Sequence, residues 1–323
     1  MKIFMFIRVG NTPMIKIKYK YKGKENQIYS KLESYNLTGS IKDRVGYYMI
    51  VNAYKSGELK QGMEIVEATS GNTGISLAAI GTGFGNKVHI FMPDWVSVER
   101  YKIMKMYGAE ITLVSKKDGG FKRTVELAKS YAEKNNAFYC NQFSNMNNVL
   151  AHYETTGREI IEKLGNAIGG FVSGIGTGGT IIGTGKRLKG YNPSIKIYAL
   201  EPEQMPLLSQ NKILGEHKIE GIGDEFVPDI IDRKVIDKIV LINDMDSINM
   251  SKKLAQNLGL GVGISSGANM IASVLAKEEN AKEIVTVFPD DNKKYLTTDL
   301  SKDMLAYNNF ISNEIELLSY DFV

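Results

Sequence analysis

The 323-residue sequence is short of the residues that build disulfides and clustered metal sites. It has a single cysteine, Cys140, which excludes an internal disulfide framework and is typical of a reducing compartment. Its three histidines, His89, His152 and His217, are scattered, and no group of residues has metal-ligand spacing. We therefore predict a cytoplasmic setting and no metal site.

Long apolar runs are also missing. No stretch approaches the roughly 18–20 apolar residues that are needed to cross a bilayer. The N-terminal segment 1–9 has an apolar patch at 3–7, but Arg8 interrupts it and no small-residue cleavage site follows. We interpret this segment as folded protein rather than as a signal peptide, and we expect no membrane partner.

A strong charge of one sign is absent too. The net charge of +4 is small and spread along the chain, so it does not favour nucleic acid or an anionic membrane. Residues 14–22 alternate apolar and basic side chains, which predicts a strand with one buried and one solvated face. A basic patch for nucleic acid is the alternative. We prefer an outer strand whose lysines discourage edge-to-edge pairing, and we expect no nucleic-acid partner.

The sequence does contain a regular alternation of helical and strand patterns. Helices are predicted at 45–54, 74–82, 97–106, 120–134, 180–188, 247–258 and 268–275, and strands at 63–68, 87–92, 110–114, 167–172, 196–200 and 283–288. This alternation predicts an α/β protein with a doubly wound, largely parallel sheet. The length suits two domains or one large α/β unit. The last 15 residues receive no predicted role.

Lys42 is the first of several residues that do not look like ordinary structure. It stands between Ile41 and an Asp-Arg pair, where a helix is predicted to start. A helix N-terminus and apolar surroundings both lower the pKa of a lysine amine. A lowered pKa is what a Schiff-base lysine needs. Taken alone, a solvated surface lysine is the simpler interpretation.

Two loops join a predicted strand to a predicted helix and are suited to anions. Residues 67–74, Glu-Ala-Thr-Ser-Gly-Asn-Thr-Gly, place hydroxyls and N–H groups where a carboxylate or phosphate can bind. Residues 173–180, Ser-Gly-Ile-Gly-Thr-Gly-Gly-Thr, let the backbone approach a phosphate. The second loop is no Walker loop, and the acidic residue of a dinucleotide fingerprint is missing from strand 196–200. Segments 221–228 and 263–267 are ambiguous alone.

Together and in this order, the segments resemble the cysteine synthase and cystathionine β-synthase family of pyridoxal-phosphate (PLP) enzymes, which have fold type II. The similarity runs from Gly10-Asn-Thr-Pro13 to Phe288-Pro-Asp290 and Tyr295-Leu296. The resemblance implies two doubly wound, largely parallel-sheet domains of the tryptophan-synthase-β-like fold. The smaller, substrate-loop domain would span 37–145, and the larger, phosphate-binding domain 1–36 plus 146–323. It also implies PLP as cofactor and a homodimer.

The resemblance also implies roles for individual residues. Lys42 would hold PLP as a Schiff base, Asn72 would contact its phenolic oxygen, and Ser265 would face its pyridine nitrogen. The phosphate would lie against Gly176, Thr177, Gly178, Gly179 and Thr180. A small amino-acid substrate would place its α-carboxylate on Thr69, Ser70, Gly71, Thr73 and Gln142.

These roles imply chemistry at the β-carbon of the substrate. A serine hydroxyl does not protonate the pyridine nitrogen as a carboxylate would, so the ring is a weaker electron sink. Elimination and replacement at Cβ, through an α-aminoacrylate, are then favoured over transamination. Lys42 would remove the Cα proton and later return it.

Three departures from the family pattern bear on the substrate. Leu37 replaces a usual proline, and 292–294 lacks a usual glycine. Cysteine synthases usually have two small residues where this chain has Asp224 and Glu225, and cystathionine synthases have a tyrosine and an acid. We hypothesise that Asp224 activates the incoming nucleophile, so that L-cysteine and water give L-serine and hydrogen sulfide.

Several alternatives stay open. Asp224 and Glu225 are solvent-facing loop charges in the simplest interpretation, and Asp232 is a further candidate base. The enzyme alternatives are a cysteine synthase, which uses O-acetylserine and sulfide, and a cystathionine β-synthase. Outside the enzymes, a non-catalytic nucleotide-binding protein of Rossmann type is the competing class.

Overall fold

The structure is a computed structural model that describes residues 8–303 and 309–323. The apolar patch at 3–7 therefore lies outside the described residues. The described strands form two sheets. They are β1 (Met14–Tyr21), β2 (Lys24–Leu32), β3 (Ile65–Ala68), β4 (Val88–Pro93), β5 (Glu110–Val114), β6 (Phe138–Tyr139), β7 (Ile168–Gly174), β8 (Lys196–Pro202), β9 (Lys238–Ile242), β10 (Glu283–Phe288) and β11 (Ile315–Phe322).

Helices cover both sheets. They are α1 (Lys42–Ser56), α2 (Asn72–Gly83), α3 (Val98–Met106), α4 (Gly120–Asn135), α5 (Met146–Ala151), α6 (Gly157–Leu164), α7 (Gly179–Tyr191), α8 (Leu207–Gln210), α9 (Asp244–Leu258), α10 (Ile264–Glu278) and α11 (Ile311–Glu314). A π-helical turn, His152–Thr156, joins α5 to α6. Within the described residues, no helix has both the length and the apolar character that a membrane span requires.

The smaller sheet has four parallel strands in the order β5-β4-β3-β6. Strands β3 and β4 are buried at every position. Residues of α2 pack on one face of them and residues of α4 pack on the other. A parallel sheet needs this double cover, which explains why its strands are almost entirely apolar. All four strands lie within the unit predicted at 37–145.

The larger sheet has the order β11-β1-β2-β10-β7-β8-β9. The five strands from β2 to β9 in this order run parallel, whereas β1 is antiparallel to both of its neighbours. Residues of α10 pack on one face and residues of α7 on the other. The predicted α/β fold with largely parallel sheets is therefore confirmed.

The expectation that the lysine-rich strand is an outer strand is wrong. Strand β11 pairs along the free side of β1 and forms the edge of the sheet in its place. The lysine amines meet an acid on that edge strand: Lys16 Nζ and Lys18 Nζ lie 3.8 and 3.6 Å from Asp321 Oδ2. The C-terminal residues, which had no predicted role, thus complete the larger sheet.

Two helices begin earlier than the sequence pattern predicts, and both shifts affect function. Helix α1 begins at Lys42 instead of residue 45, and α2 begins at Asn72 instead of residue 74. The first residues are polar, so apolar periodicity does not detect them. The earlier starts put both side chains at helix N-termini.

A buried ion network joins α1 to the larger sheet. Arg44 is fully buried, and its Nε lies 2.7 Å from Glu33 Oε2, just after β2. Its Nη1 lies 2.6 Å from Glu159 Oε1 on α6, and Lys31 Nζ lies 2.8 Å from Glu159 Oε2. Burial alone would raise the pKa of both carboxyls, but Arg44 and Lys31 hold these pKa values below their usual range. The network fixes the start of α1, two residues beyond Lys42.

We predict that Arg44→Leu lowers the free energy of unfolding by about 3–5 kcal/mol, because it leaves the buried carboxylate of Glu33 without its ion-pair partner. Urea denaturation measures the change. The matched control is Arg158→Leu, since Arg158 forms an exposed pair with Glu162 at 3.8 Å. That change should alter the free energy by less than about 1 kcal/mol. Equal losses in the two variants would contradict a structural role for the network.

Candidate active site

A cavity that is partly open to solvent lies between the two sheets. All five of the segments singled out in the sequence contribute to its wall. Its lining includes nearly every predicted site residue: Lys42, Thr69, Ser70, Gly71, Asn72, Thr73, Gln142, Gly176, Thr177, Gly178, Thr180, Asp224 and Ser265. Gly179 does not line the cavity, but it follows Gly178 as the first residue of α7. The fold thus brings distant segments into one site, at the ends of parallel strands.

Lys42 is the first residue of α1 and its side chain faces this cavity. Burial lowers the pKa of the Lys42 amine, and the carboxylates of Asp224 and Asp290 oppose that shift. The lowered pKa agrees with the sequence argument, although burial is its main cause. An amine with a lowered pKa is a better nucleophile and a better proton acceptor near neutral pH.

The loop after β3 is held in place by Gln142. Thr73 Oγ1 donates to Gln142 Oε1 at 2.7 Å, and Gln142 Nε2 donates to the carbonyl of Ala68 at 2.9 Å. The Gln142 backbone N–H donates to Glu67 Oε2 at 3.0 Å. Burial raises the pKa of Glu67 to about 8. Sequence reasoning did not identify Glu67 as a support, because its partner lies 75 positions away.

Asn72 donates a hydrogen bond to Asp290, a buried acid for which the family resemblance implied no role. Asn72 Nδ2 donates to Asp290 Oδ2 at 2.7 Å, and the Tyr295 hydroxyl donates to the same oxygen at 2.8 Å. Asn72 Oδ1 is buried and has no hydrogen-bond partner among the described residues. The orientation of the Asn72 amide is therefore fixed while one of its polar atoms still lacks a partner.

In the glycine loop between β7 and α7, a side chain at any of three glycines would cause backbone strain or a steric clash. Gly178 has a φ of +90°, which disfavours any residue with a side chain. A Cβ at Gly176 would lie 2.3 Å from the Gly221 carbonyl oxygen, and a Cβ at Gly179 would lie 1.9 Å from Asn148 Oδ1. The loop ends at the N-terminus of α7, where backbone N–H groups favour an anion.

Two residues behind this loop were missed by sequence reasoning. Asn148 is fully buried, and its Nδ2 lies 2.9 Å from both Thr177 Oγ1 and the Gln142 carbonyl oxygen. Asn148 thus ties the glycine loop to the segment that holds the loop after β3. His152 Nε2 lies 3.2 Å from Thr180 Oγ1, and burial keeps the pKa of His152 well below its usual value.

Ser265 is the second residue of α10, and its side chain is buried in the cavity wall. It approaches the cavity from the larger sheet, on an element distinct from those that carry Lys42 and the glycine loop. This placement is compatible with the predicted contact between Ser265 and the cofactor ring.

The acidic loop, residues 221–228, places the carboxylates of Asp224 and Glu225 in different environments. Asp224 lines the inner cavity, where burial raises its pKa to about 6, Lys42 opposes the shift and Glu225 adds to it. Glu225 is exposed and lines only the wider outer mouth. Asp232 lies outside the cavity, where it caps a short helix and pairs with Lys186 at 3.1 Å.

His217 holds the loop that carries Asp224. Its Nε2 lies 2.9 Å from the carbonyl oxygen of Gly223, which can only accept, so this nitrogen carries the proton. Its Nδ1 accepts from the backbone N–H of Ile219 at 3.3 Å. The neutral imidazole therefore fixes the chain on both sides of Glu220 and Gly221.

The fold also brings together one group of metal-ligand type that the linear sequence did not reveal. Ligand atoms of Glu64, His89 and Glu110 lie within 4.8 Å of one another. None of the three lines the cavity, and His89 Nε2 already contacts Thr112 Oγ1 at 2.8 Å. The prediction that the active site has no metal stays a prediction.

Comparison with known proteins identifies the family. The family model described as pyridoxal-phosphate-dependent enzyme matches residues 5–290. Cysteine synthase B of Campylobacter jejuni is 43% identical over 294 residues, which cover 90% of this chain and 96% of the relative. A hydrogen sulfide-producing enzyme from Fusobacterium nucleatum is 48% identical and superposes with a TM-score of 0.93, over 96% of this chain and 95% of that one.

A second structure of that hydrogen sulfide-producing enzyme is equally similar, with a TM-score of 0.93 and 48% identity over the same shares of the two chains. It is a variant with one aspartate replaced by asparagine, in complex with an α-aminoacrylate intermediate.

The residues of the cavity fit PLP. A buried lysine amine is available for a covalent bond to an aldehyde, and the N-terminus of α7 is available for a phosphate. Asn72 Oδ1, which is buried without a partner, shows that one polar position of the cavity is still to be satisfied. The chain therefore belongs to the PLP-dependent enzymes of the cysteine synthase and cystathionine β-synthase family, and its cofactor is pyridoxal 5′-phosphate.

Proposed function

We propose that this β-replacement enzyme takes L-cysteine, releases hydrogen sulfide and adds water at Cβ to give L-serine. The observation that carries the proposal is the position of Asp224 inside the cavity beside Lys42, with a pKa raised to about 6. A carboxylate with this pKa is ionised at neutral pH and is basic enough to accept a proton from water. Hydrogen sulfide production in the Fusobacterium enzyme, which is 48% identical to this chain, supports the same direction.

The proposal gives each group of side chains one task. When bound, PLP supplies the electron sink that lets a proton leave Cα and a substituent leave Cβ. Lys42 would hold the cofactor covalently at rest, and its lowered pKa suits it to accept the Cα proton and return it. The loop from Thr69 to Thr73, together with Gln142, binds the α-carboxylate and so orients the Cα–H bond.

Ser265 keeps the chemistry at Cβ. A hydroxyl beside the pyridine nitrogen would donate a hydrogen bond at most, so the cofactor would be a weaker electron sink for negative charge at Cα. Loss of the β-substituent then competes well with transamination. For L-cysteine the C–S bond breaks and the sulfur leaves as hydrosulfide, which takes one proton from solvent to become hydrogen sulfide. The oxygen of water takes its place on Cβ, and one proton of that water passes to Asp224, which later returns it to solvent, so the protons balance.

The acidic loop favours a neutral nucleophile. Asp224 lines the cavity in which the nucleophile would attack, and Glu225 lies at the outer mouth. The Asp224 carboxylate would repel hydrosulfide anion, whereas water carries no charge. Solvent screens most of the charge of the exposed Glu225. Asp224 is half-buried and lines the inner cavity, whereas Glu225 is exposed, so Asp224 is the better candidate for the base.

Cysteine synthesis is the second candidate, because the Campylobacter relative is a cysteine synthase at 43% identity. A cystathionine β-synthase, which adds the thiol of a second amino acid, is a further candidate within the same chemistry. L-Cysteine alone distinguishes these functions. Serine plus sulfide supports our proposal, pyruvate plus sulfide supports simple elimination, and no reaction without O-acetylserine supports cysteine synthesis. The homodimer stays a prediction, which light scattering would test.

The role of Lys42 predicts where the cofactor is attached. Holoenzyme reduced with borohydride and then digested with trypsin should carry the pyridoxyl group on the peptide 32–44, because a modified Lys42 resists cleavage. Peptide mass spectrometry locates the label. A label on any other lysine would overturn the assignment.

The role of Asp224 predicts a specific kinetic defect. Asp224→Asn should lower steady-state turnover of L-cysteine by about 10²–10⁴-fold, because the base is lost. Each active site should still release one equivalent of sulfide in a rapid phase, since departure of sulfur precedes attack by water. Stopped-flow sulfide detection measures both phases.

Two matched variants remove an acid from the same region without touching the inner cavity. Glu225→Gln changes the exposed neighbour, and Asp232→Asn changes the surface acid. Both should retain turnover within about threefold of the parent, the range expected for exposed charges. Unchanged turnover in Asp224→Asn would sink the base role.

The raised pKa of Asp224 predicts the acid side of the pH profile. Asp224 accepts a proton only when it is ionised, so kcat for L-cysteine should rise with pH through about 6. In Asp224→Asn the residual rate should lack this rise. A rise with the same midpoint in the variant would assign the titration to another group.

A further inference from the structure

We propose that Glu220 is a specificity-determining residue that neutralises Arg100 and thereby makes the cavity reject substrates with a negatively charged β-substituent. This inference deepens the proposed function, and it rests on it only in assuming that a β-substituted alanine occupies the cavity. It concerns which side chain the substrate carries, not which nucleophile attacks.

Arg100 lies deep in the substrate side of the cavity. It belongs to α3, its side chain is 3% exposed, and it lines the same cavity as Lys42. It lies directly against the carboxylate loop, which is the loop 69–73 proposed to bind the α-carboxylate. A Cβ added to Gly71 would be 2.2 Å from Arg100 Cδ. The guanidinium carbon lies 4.8 Å from the centroid of the Tyr295 ring. The guanidinium is therefore held beside the proposed position of the substrate.

Glu220 pairs with this guanidinium from the opposite wall. Arg100 Nη1 contacts Glu220 Oε2, and Glu220 sits in the segment that leads to Asp224. The His217 imidazole orders that segment through the Gly223 carbonyl and the Ile219 N–H. Arg100 Nε remains buried without a hydrogen-bond partner among the described residues. Arg100 thus keeps an unused donor, although Glu220 balances its charge.

The charged side chains that line the cavity determine how the Arg100–Glu220 pair affects substrate binding. Among the described residues that line it, the cationic side chains are Lys42 and Arg100, and the acidic ones are Glu220 and Asp224. Lys42 would hold the cofactor at rest, so Arg100 is the cationic side chain of this lining that would meet the β-substituent of an incoming substrate. Glu220 cancels that charge and Asp224 adds a negative one. Thiol, hydroxyl and ester substituents are then accepted, whereas carboxylate, sulfonate and phosphate substituents are repelled.

Without Glu220, the same cavity should attract anions. A buried guanidinium that has lost its carboxylate is an uncompensated charge, and an anionic ligand restores the balance. The Glu220→Gln variant keeps the shape of the side chain and removes its charge. It should therefore gain affinity for a ligand with a negative β-substituent while its affinity for the neutral isostere stays nearly unchanged.

L-Aspartate and L-asparagine form the matched ligand pair, since they differ in the charge at the β-substituent and present no thiol or ester leaving group. Calorimetric titration of the holoenzyme gives the dissociation constant of each. In the parent, aspartate should bind more weakly than asparagine. In Glu220→Gln, the ratio of the two constants should shift by at least about tenfold toward aspartate, as expected for removing a close like charge.

Two variants serve as controls. Glu225→Gln removes one negative charge from the outer mouth without touching Arg100, and it should leave the ratio within about twofold because an exposed charge is screened. The double variant Glu220→Gln/Arg100→Gln should lose the gain for aspartate. Its affinity for asparagine reports whether the carboxylate loop is intact.

The outcomes separate this inference from the proposed function. An unchanged ratio in Glu220→Gln, an equal shift in Glu225→Gln, or a gain that survives in the double variant would overturn the inference. Equal tightening of both ligands would also overturn it, because Arg100 would then act on the α-carboxylate. The products formed from L-cysteine are measured separately, so failure of the hydrolytic proposal leaves the binding ratio as an independent test.

Discussion

The buried guanidinium of Arg44 is the constraint on which the active site depends. It is fully buried two residues beyond Lys42, and it reaches one carboxylate after β2 and another on α6. Buried charges are tolerated only when they are paired, so this network permits one position for the start of α1. Because α1 leads into the smaller sheet and both carboxylates belong to the larger one, the network also places Lys42 at the cavity between them.

In the cavity, burial without a close ion-pair partner shifts pKa values in the opposite direction. Glu33 and Glu159 have lowered pKa values because cations compensate for their burial. Lys42 and Asp224 are incompletely compensated, so burial lowers the pKa of the amine and raises that of the carboxyl. Both shifts bring the pKa values closer to neutral pH, where proton transfer is efficient. The same physical effect therefore stabilises the fold at one place and prepares the chemistry at another.

Sequence patterns predicted the loops of the site well, because glycines and hydroxyls at the end of a strand have a local physical meaning. They did not predict the supports behind those loops. Glu67, Asn148 and His217 look like ordinary polar residues, and their importance arises from partners that only the fold brings near. Strand β11 was missed for a related reason, since its acidic-leaning sequence makes sense only against the lysines of β1.

The environments of the charged residues near the cavity could not be predicted from the linear sequence. Asp224 and Glu225 are neighbours with nearly the same chemistry, yet both line the outer mouth and only Asp224 also lines the inner cavity. Glu220, four residues before Asp224, turns instead to a buried arginine on a helix of the other sheet. Three carboxylates in one short loop thus meet three environments. Their functions differ because burial and partner, rather than residue type, determine what each charge does.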